Sequence, residues 1–234
     1  ADAVSQKGVL VYNPNSFEAS QLAEYNGEYV YAENIPPMGW KVIEPAPCKD
    51  SVEIFDKSVE SKYYSIKFDG NMNIVSLYDK ENDREVVKCG KTANQLQIFE
   101  DYPQDWDNWE ITDYYQDKMQ TIDDVSDLEI IKGNGFGGFR VTRKYGNSEI
   151  SQEIIVYANN RRIDFKTTAD WHEQHKLLKA AFPTTVHTNK AVYDVQFGNV
   201  ERATHKNTCW DAAKFEVCGH KWGDLSETGY GVSL

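Results

Sequence analysis

The chain has no long apolar run and no excess of positive charge, and both absences exclude classes of protein. Its 234 residues carry a formal net charge of −12, which argues against a nucleic-acid partner, because such a partner requires a basic face that displaces counterions from phosphates. No apolar run approaches the roughly 20 residues of a membrane helix. We therefore expect no membrane association, and the acidic surface suits a neutral ligand such as a sugar.

The chain is also poor in cysteine. Its four cysteines are too sparse for a disulfide scaffold, and no two have Cys-x-x-Cys spacing; they are Cys48, Cys89, Cys209 and Cys218. We expect reduced, mostly buried thiols. The absence of an Asn-x-Ser/Thr acceptor favours a cytoplasmic or bacterial origin, and we expect a cytoplasmic location. Residues 1–7 have no initiator Met and no apolar signal region, so we expect an excised part of a longer protein.

Alternation of apolar and polar residues predicts strands along most of the chain. Residues 64–68 alternate, turn at 69–71 and continue as 74–78, which is typical of a half-buried hairpin. The same pattern recurs at 139–143, 150–157, 163–167 and 193–197. Because each strand has one apolar face to cover, we predict an all-β fold, a large antiparallel β-sandwich. The best helical candidate is the short segment 173–181.

A domain boundary is predicted near Pro45-Ala46-Pro47. Residues 1–50 would form a small β linker unit with strands at 9–12, 29–31 and 41–43, and residues 51–234 would form the sandwich. The alternative is that residues 1–50 are edge strands of one domain.

Carboxylates alternate with aromatic residues in the loop 101–110. The candidate ligand-binding or interface residues are Asp105, Trp106, Asp107 and Trp109. Aromatic rings stack on the apolar face of a pyranose, and carboxylates accept hydrogen bonds from its hydroxyls. The alternative is a rigid acidic surface loop that is held by two buried indoles.

The segment 205–227 is the second candidate, because polar groups and indoles are unusually dense there. Its candidate residues are His205, Trp210, Asp211, His220 and Asp224. Such density predicts a hydrogen-bonded surface, either an interface with another domain or a self-contained network that fixes loops.

Neither a metal site nor a phosphate site is predicted in this chain. His172 and His175 are one residue short of the spacing that places two imidazoles on one helical face. The glycines at 133–138 do not open a helix after a parallel strand, so we predict a β-turn or bulge. With 37 acidic residues, carboxylate pairs arise by chance, and no catalytic residue is assigned.

Several segments resemble a known family. They are 161–165, 170–173, 177–183, 196–198, 202–205, 207–211, 214–216, 220–227 and 230–232. Together they resemble the C-terminal β-sandwich region of glycoside hydrolase family 38 α-mannosidases of the bacterial and fungal cytosolic type. The resemblance is most specific over 157–234. It implies a supersandwich of the galactose-mutarotase kind.

The resemblance implies a non-catalytic part of a retaining α-mannosidase. Zinc and the nucleophile would lie in an upstream catalytic domain, whose His-x-Asp signature is absent here, so no cofactor is expected in this chain. The chain would buttress that catalytic domain and close part of the cleft for a mannose-containing glycan. Loop 101–110 resembles a Pro-x-x-Trp-Asp-x-Trp segment that lies near the domain interface.

The family sandwich continues beyond the position of Leu234 with a Leu-Asn-Asp-x-Lys-Tyr-Gly segment. The resemblance therefore implies a sandwich that is truncated at its C-terminus. A missing strand leaves an open edge, which pairing with a second copy would compensate, giving a homo-oligomer.

Two other functions remain open from the sequence. One is a free-standing carbohydrate-binding module, which the Trp-rich acidic loop favours. The other is an aldose epimerase, in which His205 or His220 with Glu216 would form the catalytic set.

Overall fold

Strands form most of the structure. The computed structural model describes residues 8–25, 28–44, 50–106 and 109–234. Its strands are β1 Val9–Tyr12, β2 Ala19–Tyr25, β3 Glu28–Ile35, β4 Trp40–Ile43, β5 Glu53–Phe55, β6 Ser58–Glu60, β7 Tyr64–Phe68, β8 Ile74–Asp79, β9 Arg84–Glu85, β10 Gln95–Glu100, β11 Gln120–Thr121, β12 Val125–Gly133, β13 Phe136–Tyr145, β14 Ser148–Tyr157, β15 Ile163–Asp170, β16 Lys176–Ala181, β17 Lys190–Val195, β18 Gly198–Ala203, β19 Gly223–Glu227 and β20 Tyr230–Ser233. The helical elements are a 3-10 helix at Asp113–Lys118 and α1 at Cys209–Ala213.

The strands pair in antiparallel fashion in several sheets. A five-stranded sheet has the order β5-β6-β7-β8-β9, and a four-stranded sheet has the order β12-β13-β14-β15. A three-stranded sheet has the order β11-β10-β16, and a four-stranded sheet near the C-terminus has the order β18-β17-β19-β20. Strands β1 and β4 form one pair, and β2 and β3 form another.

The main core lies between the five-stranded sheet and one face of the β12–β15 sheet. Val59 and Ile66 from the first sheet pack in one cluster with Phe139 and Ile154 from the second. The three-stranded sheet adds Ile98, which packs against Ile150 of β14. Ile154 and Ile150, both on the same face of β14, thus pack against the five-stranded and the three-stranded sheet respectively. The fold is an all-β sandwich, as predicted.

The hairpins that were predicted from alternation are confirmed. Strands β7 and β8 pair with Ile66 opposite Leu77. Strand β14 pairs with β13 and with β15, on either side. The glycine-rich stretch is the turn between β12 and β13, where Gly135 has a φ of +81°. Such a φ favours glycine because a Cβ atom would clash with the backbone.

The predicted helix at 173–181 is wrong. Residues Lys176–Ala181 form β16, which pairs with β10 so that Leu178 lies opposite Ile98. The sequence Lys-Leu-Leu-Lys-Ala-Ala favours a helix by intrinsic propensity. Leu178 packs against the cluster that contains Ile98 and Ile150, and β16 has six positions paired with β10. These tertiary contacts override the helical preference.

Two further expectations are corrected. Alternation placed Phe197 in a strand, but β17 ends at Val195 and Phe197 lies in the following turn. The cysteines were expected to be mostly buried, yet Cys89, Cys209 and Cys218 are free and exposed. Cys48 lies outside the described residues.

Strands β2 and β3 are hydrogen-bonded to the sandwich. The hydroxyl of Tyr31 donates to the carbonyl of Asn159 at 3.3 Å, and Asn160 Nδ2 donates to the carbonyl of Ser20 at 3.4 Å. The boundary motif Pro45-Ala46-Pro47 lies outside the described residues. The division into 1–50 and 51–234 therefore stays a prediction.

Among the residues that the structure describes, one cationic side chain is buried. Arg143 on β13 has no exposed surface. Its Nη2 atom donates to the carbonyls of Asn71 and Met72, each at 3.0 Å. Burial lowers the pKa of this guanidinium from its ordinary value. Backbone carbonyls of the β7–β8 turn thus hold a charged side chain of the opposite sheet.

Candidate functional site

The acidic aromatic loop 101–110 is held by hydrogen bonds between its own residues. The carboxylate of Glu110 accepts the N–H groups of Gln104 at 3.1 Å and Asp105 at 3.0 Å. The carbonyl of Trp106 accepts the N–H of Trp109 at 2.9 Å. Trp106 is 79% exposed and Trp109 is 91% exposed, so these indoles do not hold the loop by burial. Asp107 lies outside the described residues.

Helix α1 carries the next two candidate residues. Thr208 caps the helix: its hydroxyl accepts the N–H of Asp211 at 3.1 Å and donates to the Asp211 carboxylate at 2.7 Å. That hydroxyl, and then the nearby imidazole of His205, whose Nδ1 lies 3.6 Å from Asp211 Oδ2, hold the pKa of Asp211 below its ordinary value. Trp210 is 77% exposed. The Asp211 carboxylate is thus engaged by the cap residue Thr208, whereas Trp210 is exposed to solvent.

The loop and α1 meet at a cavity of about 510 Å³, called here the loop cavity. It is lined by Gln104, Glu110, Ile111, Thr112, Asp113, Tyr114, Ala212, Ala213 and Phe215. The fold therefore brings together segments that are about 100 residues apart. Its size falls within the range of about 300–1,000 Å³ of small-molecule sites.

A partly buried cluster of polar side chains lies beside the loop cavity and joins its walls. The hydroxyl of Tyr115 and the ammonium of Lys179 both donate to Glu216 Oε1, and Lys179 Nζ lies 3.0 Å from the Tyr115 hydroxyl. Tyr115 is buried and packs edge-on against Phe99, with ring centroids 5.0 Å apart. We call Tyr115, Lys179 and Glu216 the anchor triad, because it fixes the 3-10 helix and the segment after α1 to β16.

The anchor triad also sets the charge state of its lysine. Burial pulls the pKa of Lys179 down, but hydrogen bonds to Glu216 and then to Tyr115 outweigh burial, so this pKa lies above its ordinary value. Sequence analysis missed Tyr115 and Lys179. The helical assignment of 173–181 hid Lys179, and no local pattern indicates that it lies beside Glu216, which is 37 residues away in the sequence.

The remaining candidate residues lie elsewhere. The backbone N–H of His220 donates to the carbonyl of Asp194 at 3.0 Å, and His220 lines a separate cavity of about 270 Å³ with Trp222. Asp224 on β19 accepts the hydroxyls of Ser226 at 2.7 Å and Ser233 at 2.5 Å. Asp224 therefore holds the β19–β20 hairpin.

The residues of the epimerase alternative occupy three different settings. His205 lies beside Asp211, Glu216 belongs to the anchor triad, and the His220 backbone bonds to Asp194. Each residue therefore has its own separate partners, and the structure lends this alternative no support.

The end of segment 205–227 joins the C-terminal hairpin to the five-stranded sheet. Arg84 Nη1 lies 2.6 Å from Glu227 Oε1, and its guanidinium lies 4.2 Å from the centre of the Tyr230 ring. The N–H of His187, and then Arg84, hold the pKa of Glu227 below its ordinary value. Arg84 was not predicted, because 143 residues separate it from Glu227.

An apolar cavity of about 520 Å³ lies beside this contact. Among its walls are Leu77, Val87, Phe165 and Phe182, together with residues 229–234 of the C-terminal hairpin. It continues the main core and contains none of the candidate residues. The segment 205–227 is therefore divided between the loop cavity, the His220 cavity and this hairpin contact.

Within residues 8–25, 28–44, 50–106 and 109–234, no group of three His, Cys, Asp or Glu side chains is arranged to hold a metal ion. Among the same residues, no helix is long and apolar enough to cross a membrane.

Comparison with known proteins gives consistent matches. The family described as "Glycosyl hydrolases family 38 C-terminal domain" matches residues 59–234. Alpha-mannosidase G of Dictyostelium discoideum is 34% identical, over 97% of this chain and 25% of its own length. Alpha-mannosidase 2C1 of Homo sapiens is 34% identical, over 97% of this chain and 24% of its own length. The chain thus spans about a quarter of these curated relatives.

A solved structure is similar in fold. The crystal structure of an alpha-mannosidase from Enterococcus faecalis V583 superposes with a TM-score of 0.66 over 97% of this chain and 30% of that chain. Sequence identity is 10%, so this likeness concerns the fold alone.

Proposed function

The chain belongs to the C-terminal domain family of the family 38 glycosyl hydrolases, and from this membership we propose that it is the non-catalytic β-sandwich portion of a retaining, zinc-dependent α-mannosidase. The observation that carries the proposal is the family match over residues 59–234 in a chain that spans a quarter of relatives named α-mannosidases. The other three quarters of such a polypeptide would perform the hydrolysis of terminal α-linked mannose. This portion would buttress that catalytic domain and close part of its sugar cleft.

The described residues do not fit the zinc that the family implies. Asp211, the candidate carboxylate nearest to an imidazole, has His205 beside it but no third ligand. The Asp211 carboxylate is also engaged by Thr208. We therefore place the metal in another part of the polypeptide and assign no step in this chain to it.

The residues around the loop cavity are the ones that we assign to the interface with the catalytic domain. Trp106, Trp109 and Trp210 are exposed on the two segments that line the cavity. Aromatic residues are enriched in the cores of protein interfaces. The anchor triad would hold both segments in place, so that Glu110 and Asp113 border a space of the size of a sugar.

We also propose a cytoplasmic location. In addition to the interface with the catalytic domain, we propose a contact between two copies of the chain. Strand β12 lies at the edge of its sheet, with Leu128 and Ile130 exposed. Exposed apolar edge strands favour pairing with another chain. A dimer through β12 would cover both side chains.

Hydrolysis of an aryl α-mannoside tests the proposal. We expect turnover and bound zinc in a native polypeptide that includes the residues preceding this chain, and neither in the 234-residue chain alone. Hydrolysis by the 234-residue chain would contradict the non-catalytic role. No turnover by the longer, folded polypeptide with zinc would contradict the α-mannosidase assignment.

A second candidate function is a carbohydrate-binding module. The exposure of the three indoles beside the loop cavity favours it, because sugar-binding surfaces present aromatic rings to solvent. Calorimetric titration of the chain with mannose tests this candidate. Binding at millimolar concentration or tighter that is lost in Trp109→Ala and Trp210→Ala, but kept in a Trp40→Ala control, would support it.

A further inference from the structure

Phe197 is the most exposed large apolar residue among those that the structure describes. It lies at the tip of the β17–β18 hairpin, and its side chain is fully exposed. Its φ is +62°, in the left-handed region. Burial in this chain therefore does not account for a phenylalanine at this position.

The backbone of this turn favours other residues. Phe197 is the second residue of a two-residue loop between Val195 and Gly198. Turns with a positive φ at this position favour glycine or asparagine, whereas a positive φ in a bulky residue is a rare and strained conformation. Strained residues of this kind concentrate at functional contacts.

The β17–β18 hairpin is hydrogen-bonded to residues 220–222 of the candidate segment 205–227. Asp194, near the end of β17, donates its N–H to the carbonyl of Trp222 at 3.1 Å and accepts the N–H of His220 at 3.0 Å. Its carboxylate accepts the N–H of Lys221 at 3.2 Å. The tip that carries Phe197 is thus joined to residues 220–222 by three hydrogen bonds.

We propose that Phe197 is an interface anchor that inserts into an apolar pocket on the catalytic portion of the same polypeptide. This inference rests on the proposed function. The length of the relatives favours the catalytic portion as the partner of Phe197, since about three quarters of their chains lie outside the region matched here. Aromatic side chains are enriched in interface cores, where they contribute large contact areas.

Hydroxyl-radical footprinting of the longer native polypeptide tests the anchor directly. Phe55 is the matched control, because it is half-exposed on the β5–β6 hairpin and its φ is not positive. We expect Phe197 to be modified several-fold more slowly than Phe55 in the longer polypeptide. Equal or faster modification of Phe197 would overturn the proposal.

A substitution gives an independent measurement. In the 234-residue chain, Phe197→Asn should raise the Tm by about 2–4 °C, because asparagine relieves the strained φ. In the longer polypeptide the same substitution should lower the Tm, because the anchor is lost. Phe55→Asn should shift both Tm values in the same direction. A rise in both proteins for Phe197→Asn would also overturn the anchor.

The two proposals fail in different ways. Protection of Phe197 in a longer polypeptide that does not hydrolyse α-mannosides would remove the proposed function and leave the anchor. Full α-mannosidase activity with an unprotected Phe197 would remove the anchor and leave the proposed function.

Discussion

The main core and the loop cavity use their large side chains in different ways. In the main core, Ile66, Phe139 and Ile154 are almost completely buried between two sheets. Around the loop cavity, Trp109 and Trp210 extend into solvent. None of the six tryptophans of the chain is buried. Because tryptophan is on average highly buried in folded proteins, this contrast separates residues that stabilise the sandwich from residues that are available for contacts.

The largest expected effect is in the core. Phe139→Ala should lower the free energy of unfolding by about 3–5 kcal/mol, because it removes a ring from the closed cluster between the sheets. Urea unfolding measures the change. The exposed control Phe55→Ala should change it by less than about 0.5 kcal/mol. Equal effects of the two substitutions would show that the core assignment is wrong.

The anchor triad should give an intermediate effect. Glu216→Ala should lower the free energy of unfolding by about 2 kcal/mol, because the hydroxyl of Tyr115 and the ammonium of Lys179 lose a charged acceptor. Glu216→Gln keeps an acceptor and should cost less. Urea unfolding at neutral pH measures both variants, and a loss that is equal for Ala and Gln would exclude a charge-dependent role.

The same triad predicts a loss of stability in alkali. The folded-state pKa of Lys179 is raised above its ordinary value of 10.5. The stabilisation from its charge is therefore complete below pH 10.5 and is lost as the pH rises through the folded-state pKa. The wild type should lose more stability than Lys179→Met between about pH 10 and 12. Parallel pH profiles of thermal unfolding for the two proteins would contradict this prediction.

The smallest effect on stability is expected at the exposed indoles. Trp109→Ala and Trp210→Ala should each change the free energy of unfolding by less than about 0.5 kcal/mol, because neither side chain is packed. In the longer polypeptide they should nevertheless raise the KM or weaken domain association. A large loss of stability in the 234-residue chain would place these indoles in its packing and remove them from the interface.

The sandwich was predictable because its strands carry a local signal. In β7, β8, β13 and β14, apolar residues alternate with polar ones, and Gly146 and Asn147 mark the turn between β13 and β14. These features depend only on neighbouring residues. Strand β16 was not predictable in this way, since its pairing with β10 depends on residues about 80 positions earlier.

The candidate site was predicted in part for the same reason. Trp106 and Trp210 were found from local composition, and the fold brings their segments to one cavity. Lys179 and Tyr115 were missed because their contact spans 64 residues. Asp224 was selected for its polar surroundings, although its two serine partners belong to one hairpin. Local composition indicated where polar groups are dense. The pairing of distant strands determines which of these groups line the same cavity.

The buried guanidinium of Arg143 makes the sandwich selective during folding. Its acceptors, the carbonyls of Asn71 and Met72, are available only when β13 lies against the β7–β8 turn in the native register. A shift by one residue would direct β13 side chains to the opposite face, and a shift by two that moved the guanidinium to the position of Val141 would leave it among the apolar side chains of the main core. Either shift would remove both carbonyl acceptors from the charge, so we expect this one arginine to disfavour alignments that the aliphatic residues around it would tolerate.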